Sequence, residues 1–396
     1  MARFWAHFLK EYDGTTAKAK FLGTVKGPAT QGYSNNGTLN TDYIVPDIED
    51  GSLTITDTNN AYPIVSYGSK GGVRLLPCVG YSVGGAFSTK LYAEQAEFLI
   101  GSALAKANTT TNPTGDATSF QIDRCYVDSD PVQQRLYADS YKGVKIGQFS
   151  LTVGSTNPMV QMNMQLVGAT RAEIAPVGGT GIIPVSGKAP ACSAYPSTPY
   201  TFKNVSVYAD FSGAEIFATS NSNTTWAVPA ETKKLKTVRS ISLTFQNTLA
   251  STSHSAGTLD RIQRTVTAVQ YSMVVDLSDP DGDGAMDTVG GTAYGSTVWR
   301  KRYLDMRDSI NGGKVSLAVI IDNSTSTTTT TGNTTSTSTT AGKRIYFSLG
   351  KVTGFDSVQS ITPIPEIFSA QISGMAMWDA DICNTFDWNI ETVAAS

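Results

Sequence analysis

"CVGYSVGGAF", residues 78–87, decides between two folds. Gly80-Tyr81-Ser82-Val83-Gly84 spells the G-x-S-x-G of a serine hydrolase, whose nucleophile stands on a sharp strand-to-helix turn above a parallel sheet. The competing reading is an ordinary strand, with Gly80, Gly84 and Gly85 where another backbone or side chain packs closely. An elbow needs strands and helices in alternation around it, and an acid and a histidine after it.

The surrounding chain favours the strand. Val160, Met162, Met164 and Leu166 alternate with Gln161, Asn163 and Gln165, while Val269, Tyr271, Met273, Val275 and Leu277 alternate with Gln270, Ser272 and Asp276, apart from Val274. Ile241, Leu243 and Phe245 keep the same two-residue period, which predicts half-buried strands of antiparallel sheets. In "GVKIGQFSLTV" the apolar phase slips at Gly147-Gln148, the mark of a bulge. Only two windows carry helical spacing: Ala93, Ala96, Ile100 and Ala107 near 93–107, and Trp299, Tyr303, Met306 and Ile310 near 299–311. Each is flanked by strands, so the order of elements repeats, and "PVGGTGIIPVSGKAPACSAYPSTP" lies between the two rounds. The predicted fold is mainly β (α+β): two tandem β-sandwich or barrel modules, each with one packed helix. Residues 1–175 form the first module with its N-terminal arm, 176–199 the linker and 200–396 the second. The Thr/Ser tract 324–340 is too polar to bury a core and is expected to be a disordered, exposed loop.

Composition narrows the function. The chain has 396 residues, of which 16% are charged, and a net charge of −3. Its one tight basic cluster is Lys233-Lys234-Leu235-Lys236, which argues against stable nucleic-acid binding. Cys78, Cys125, Cys192 and Cys383 stand far apart, without zinc-type spacing to His7 or His254, and are read as reduced thiols. No run is apolar enough to span a bilayer, so no membrane anchoring is expected.

Two site motifs remain. For Ser82, Asp210 and His254 stand in hydrolase order, but His254 lies in the Ser/Thr-rich "STSHSAG", and a serine hydrolase using Ser82 is a remote alternative. No catalytic residue and no cofactor are assigned. In "DPDGDGAMD", Asp279, Asp281, Asp283 and Asp287 fall at calcium-loop positions, yet Gly290 stands where the bidentate Glu belongs, leaving a weak calcium candidate.

"YKGVKIGQFSLTVGSTNPMVQMNMQLVGAT" (141–170) resembles the strand-turn-strand segment of major tail proteins, the tail-tube subunits of long, non-contractile-tailed bacteriophages. "VRSISLTFQNTLASTSHSAGTLDRIQRTVTAVQYSMVVDL" (238–277) is similar to a later hairpin of that family, and "FLKEYDGTTA" is weakly similar to its start. The resemblance implies a structural virion protein, not an enzyme, that stacks in rings around a genome channel. It implies a β-sandwich joined to one helix as the repeating module, so a two-module chain would close as a trimer of pseudo-hexameric shape, the alternative being a hexamer. It further implies tape measure, tail terminator and baseplate proteins as partners, and a place in the virion tail after assembly in the host cytoplasm. DNA would pass without specific binding, which makes Gln161, Asn163, Gln165, Gln270, Ser272 and Asp276 candidates for the lumen. The competing class is a β-sandwich adhesin or capsid decoration module.

Overall fold

The computed structural model describes residues 3–10, 43–48, 52–61, 64–65, 73–75, 78–104, 119–127, 136–168, 170–173, 195–210, 216–220, 223–253, 259–276, 288–289, 292–293, 315–331, 334–349, 351–352, 357–358, 362–364, 367–377 and 386–394. The fold is mainly β, with antiparallel strands and, among the described residues, one α-helix. The helical window near 299–311 lies outside the described residues.

The main strands are β1 Arg3–Lys10, β2 Tyr43–Ile44, β3 Thr56–Ala61, β4 Cys78–Lys90, β5 Phe120–Val127, β6 Leu136–Gly154, β7 Gln161–Gly168, β8 Thr170–Glu173 and β9 Val205–Asp210. They continue as β10 Lys234–Leu235, β11 Val238–Ser253, β12 Leu259–Asp276, β13 Ser316–Asp322, β14 Thr325–Thr331, β15 Thr334–Thr340, β16 Gly342–Ser348, β17 Ile367–Met377 and β18 Asp387–Val393. The helix α1 is Ala96–Ala103, inside the window that the spacing predicts.

Two compact units emerge, and they interleave in sequence. The first holds residues 1–149, 163–198 and 247–267; the second holds 150–162, 199–246 and 268–396. The chain changes unit at 198/199, within reach of the expected 176–199 linker, and at four further points, inside β6, β7, β11 and β12.

In the first unit β1 pairs with β2 and, from Arg3↔Val127 to Lys10↔Phe120, with β5; β5 pairs with β6, and β3 pairs with β4. Phe8 packs on Phe87 and Phe120 with ring centroids 4.9 and 5.6 Å apart, and Phe98 of α1 lies 6.2 Å from Phe120. These rings are fully buried and join sheet to helix. The last turn of α1 leaves carbonyls without helical partners. The buried Asn247 fills that need, donating from Nδ2 to the carbonyls of Ala103 and Ile146, both at 2.8 Å. Before the helix, Glu94 accepts from the Ser197 hydroxyl at 3.0 Å and the Thr198 amide at 3.1 Å, so the end of the proposed linker is tied down. Burial pushes the Glu94 carboxyl up, but its hydrogen bonds outweigh that and hold it below the usual range.

Two glycines are required by geometry. Gly85 lies against the chain at Thr54 and Ile55, where an added Cβ would stand 2.5 Å from the Thr54 carbonyl oxygen. Gly84 has room for one, so the close approach expected of both belongs to Gly85. Gly143 has φ 65°, and the pairing steps from Phe120↔Val144 to Ile122↔Tyr141, so one extra residue bulges out of β6. The burial phase also slips where the sequence places it: Val144 and Ile146, then Phe149, Leu151 and Val153, are buried.

In the second unit, stretches of β6, β11, β12 and β17 pair in that order as one sheet, and β10-β9-β13-β16-β18 form another. Phe245 of the first sheet meets Phe347 and Phe386 at 5.6 and 5.4 Å, a sandwich core. β13 is buried along Ser316–Ile321 because its sheet is covered twice: Val319 shares the Phe347 face, while Ala318 and Ile320 join Tyr208, Tyr346 and Phe217 in a cluster flanked by Trp226. A sheet buried on both faces reads as a continuous apolar run, here "SLAVII".

The Thr/Ser tract corrects an expectation. Residues 325–331 and 334–340 pair in register from Thr325↔Thr340 to Thr331↔Thr334, a two-stranded hairpin where a disordered loop is expected. Threonine favours extended backbone, and the hairpin lengthens an already paired β13–β16 ladder, so it needs no core of its own.

Candidate functional site

Ser82 lies inside β4, opposite Thr58 of β3, and the strand runs on to Lys90 before α1 begins at Ala96. The sharp strand-to-helix turn of an elbow is absent. Asp210 is bound to Lys233 at 2.9 Å, and His254 lies outside the described residues. The calcium candidate Asp279, Asp281, Asp283 and Asp287 also lies outside them. Among the described residues no group of three His, Cys, Asp or Glu side chains is placed to hold a metal ion.

The surface that the sequence singled out does have a definite geometry. On the first sheet of the second unit, Leu151, Val153, Ile241, Leu243, Phe245, Val269, Tyr271 and Met273 are buried, and the alternate positions face away from them. Those positions carry Thr152 on β6, Ser242 and Thr244 on β11, Gln270, Ser272 and Val274 on β12, and Gln371, Ser373 and the exposed Met375 on β17. None of the described side chains on this face is charged. Neighbours tie the face together: the Thr152 and Ser242 hydroxyls lie 3.3 Å apart, and Gln371 Nε2 donates to Ser272 Oγ at 3.0 Å. Asp276 ends β12 opposite Ser369, at the margin of the face.

The other lumen candidates sit on β7. Gln161 and Asn163 are half-buried and Gln165 is exposed. Asn163 Oδ1 accepts from Ser88 Oγ at 2.6 Å, and Gln161 Oε1 accepts from Asn157 Nδ2 at 3.3 Å. Gln161 belongs to the second unit, whereas Asn163 and Gln165 belong to the first.

Two ionic networks were not anticipated from sequence. In the first unit, Asp139 accepts from Arg124 at 3.0 Å and from Arg171 at 2.8 Å; Arg171 also reaches Asp57 at 2.8 Å, and Arg124 donates to the Tyr141 hydroxyl at 3.0 Å. Hydrogen bonds to Asp139 raise the Arg171 guanidinium further above its ordinary range, so it stays charged. Burial pushes the Tyr141 phenol up, opposed by Arg124. In the second unit, Arg344 donates from Nε to Asp322 at 2.6 Å and from Nη1 to Glu391 at 3.1 Å, and the Tyr346 hydroxyl donates to the same Glu391 oxygen at 2.5 Å. Burial and that bond push the Tyr346 phenol up to about 12.

The second network stands at the root of the hairpin. Asp322 Oδ1 accepts from the Ser324 amide and hydroxyl at 2.8 and 2.6 Å, Asn323 Oδ1 accepts from the Lys343 amide at 2.7 Å, and the Tyr200 hydroxyl donates to the Lys343 carbonyl at 2.9 Å. The usable signal in sequence was spacing: Asp139-x-Tyr141 and Arg344-x-Tyr346 each put an ion and a phenol on one face of a strand.

No known family model matches this chain, and no curated protein matches it.

Proposed function

We propose that this chain is a self-associating structural subunit, the major tail protein of a long, non-contractile-tailed phage. Rings of it would stack into the tail tube and conduct DNA. The observation that carries the reading is the charge-free polar face of the second unit's first sheet, from Thr152 across Ser242 and Ser272 to Gln371. A wall along which a polyanion slides must be wetted yet must lack the cations that release counterions from phosphate. The hydroxyls and amides of this face wet it, Val274 and Met375 add no charge, and no cation stands among its described side chains.

The edge strands add support. The five-stranded sheet of the second unit ends at β18, seven residues long and paired on one side only among the described residues. Such an edge is a template for another chain, and a ring that continues the sheet from subunit to subunit closes it. Two units per chain make a trimer of pseudo-hexameric shape the favoured ring, with a hexamer as the alternative. Tape measure, terminator and baseplate proteins would be its partners, and the virion tail its location.

Electron microscopy of concentrated purified protein tests the assembly: tubes or stacked annuli are expected, and compact monomers at every concentration would overturn it. The lumen assignment has a separate test. Ser272→Lys with Gln371→Lys should make assembled tubes retain single-stranded oligonucleotide that wild-type tubes release; tubes indifferent to both lysines would place the face outside.

A further inference from the structure

Three lysines line one cleft of the described surface with a single exposed carboxylate beside them. A cleft of about 300 Å³ in the second unit is lined by Lys203, Lys234 and Lys236 together with Phe202 and Val207. Lys234 and Lys236 flank the buried Leu235, and both line the cleft. Lys203 comes from the turn before β9 and completes the trio. Lys203 and Lys236 are exposed and pair with no carboxylate among the described residues. Lys234 has only Glu231 at 3.5 Å, itself 68% exposed. The neighbouring Lys233 is neutralised by Asp210, which sharpens the contrast. In a chain with 16% charged residues and a net charge of −3, three clustered ammonium groups with one exposed carboxylate between them call for an external anion.

The same chain carries the complementary charge. Asp279, Asp281, Asp283 and Asp287 put four carboxylates into nine residues, and no Lys or Arg occurs between Arg264 and Arg300. We propose that the Lys203–Lys234–Lys236 cleft of one copy receives the Asp279–Asp287 stretch of a second copy. The inference rests on the self-associating reading and deepens it. Cleft and acidic stretch are different patches, so the contact is heterologous, the kind that propagates around a ring or along a stack instead of stopping at a dimer. Nucleic acid is the weaker match. Three lysines neutralise about three phosphates, too few for tight binding at physiological salt, and the net negative chain repels a long polyanion.

Charge exchange tests the contact in the full-length protein. One variant carries Lys203→Glu, Lys234→Glu and Lys236→Glu; the other carries Asp279→Lys, Asp281→Lys and Asp283→Lys. Self-association is read by sedimentation velocity and light scattering, and thermal melts confirm that each variant folds. Each variant alone should associate at least about tenfold more weakly than wild type, and the chain carrying both sets of changes should recover, because every cleft then meets an oppositely charged stretch. Wild-type association should weaken as salt rises from about 50 to 500 mM. If charge reversal unfolds the protein, the Lys→Gln set and the salt titration carry the same decision.

Variants that assemble like wild type overturn the contact and leave the tube reading intact. Wild type that never associates overturns both. Loss of association in the lysine variant alone, with the Asp279, Asp281 and Asp283 variant assembling like wild type, would mean that another anion fills the cleft. Unchanged assembly with loss of a fluorescent single-stranded oligonucleotide in the lysine variant would assign the cleft to nucleic acid. Either result rejects the proposal.

Discussion

The Asp139 and Arg344 networks are built with opposite polarity. In the first unit an acid sits at the centre and two guanidiniums converge on it; in the second a guanidinium sits at the centre and two carboxylates converge on it. The first is balanced, with Arg124 and Arg171 against Asp139 and Asp57. The second has one cation against Asp322 and Glu391, and the excess acceptors are satisfied by the Tyr346 hydroxyl and by the amide and hydroxyl of Ser324. What differs is access to water. The Asp139 side chain is 4% exposed, whereas Asp322 and Glu391 are 23% and 35% exposed. A central charge that cannot rehydrate makes its network brittle; peripheral charges that can make theirs tolerant.

That contrast can be broken in order of expected effect. Arg124→Met leaves the dry Asp139 short of one of its two cations and should cost about 3 kcal/mol in urea unfolding. Arg344→Met leaves carboxylates that water can reach, and its cost should stay at about 1–2 kcal/mol; an equal loss at both sites would refute the role given to exposure. The pH dependence comes next. Tyr346 ionises near 10 in an unfolded chain and at about 12 here, so folding favours the protonated phenol. Its contribution is whole below pH 10 and is lost as pH climbs through 12, and Tyr346→Phe should flatten that part of the stability profile. Gln371→Ala, on the charge-free face, should change stability by less than about 0.5 kcal/mol while leaving the fold intact.

Much of this was legible beforehand. The period-two runs at 160–166, 241–245 and 269–275 bury the residues they predict, and the helix falls inside its window. Three features were not legible, each for a physical reason. The Gly143 bulge depends on pairing with β5, which no local pattern encodes. The Arg171–Asp57 bridge joins residues 114 apart, and composition is blind to such pairs. The Thr/Ser tract misled because an argument from buried area treats a segment as if it had to fold alone, whereas these fourteen paired residues extend an existing ladder. Of the candidate site, the alternation around Gln270 and Ser272 was visible; Thr152, Ser242 and Gln371 joined it only through strand order.

The interleaving of the units has a consequence for biosynthesis. The first unit includes residues 247–267, and the plug for its helix is Asn247, so it stays incomplete until two thirds of the chain has left the ribosome. At about 5–20 residues per second that is a delay of roughly 7–30 s between emergence of the helix and arrival of its cap. A gene truncated at residue 199 would yield a polypeptide with the right residues for most of a unit and no way to finish it, and chaperone dependence should be greatest for nascent chains of that length.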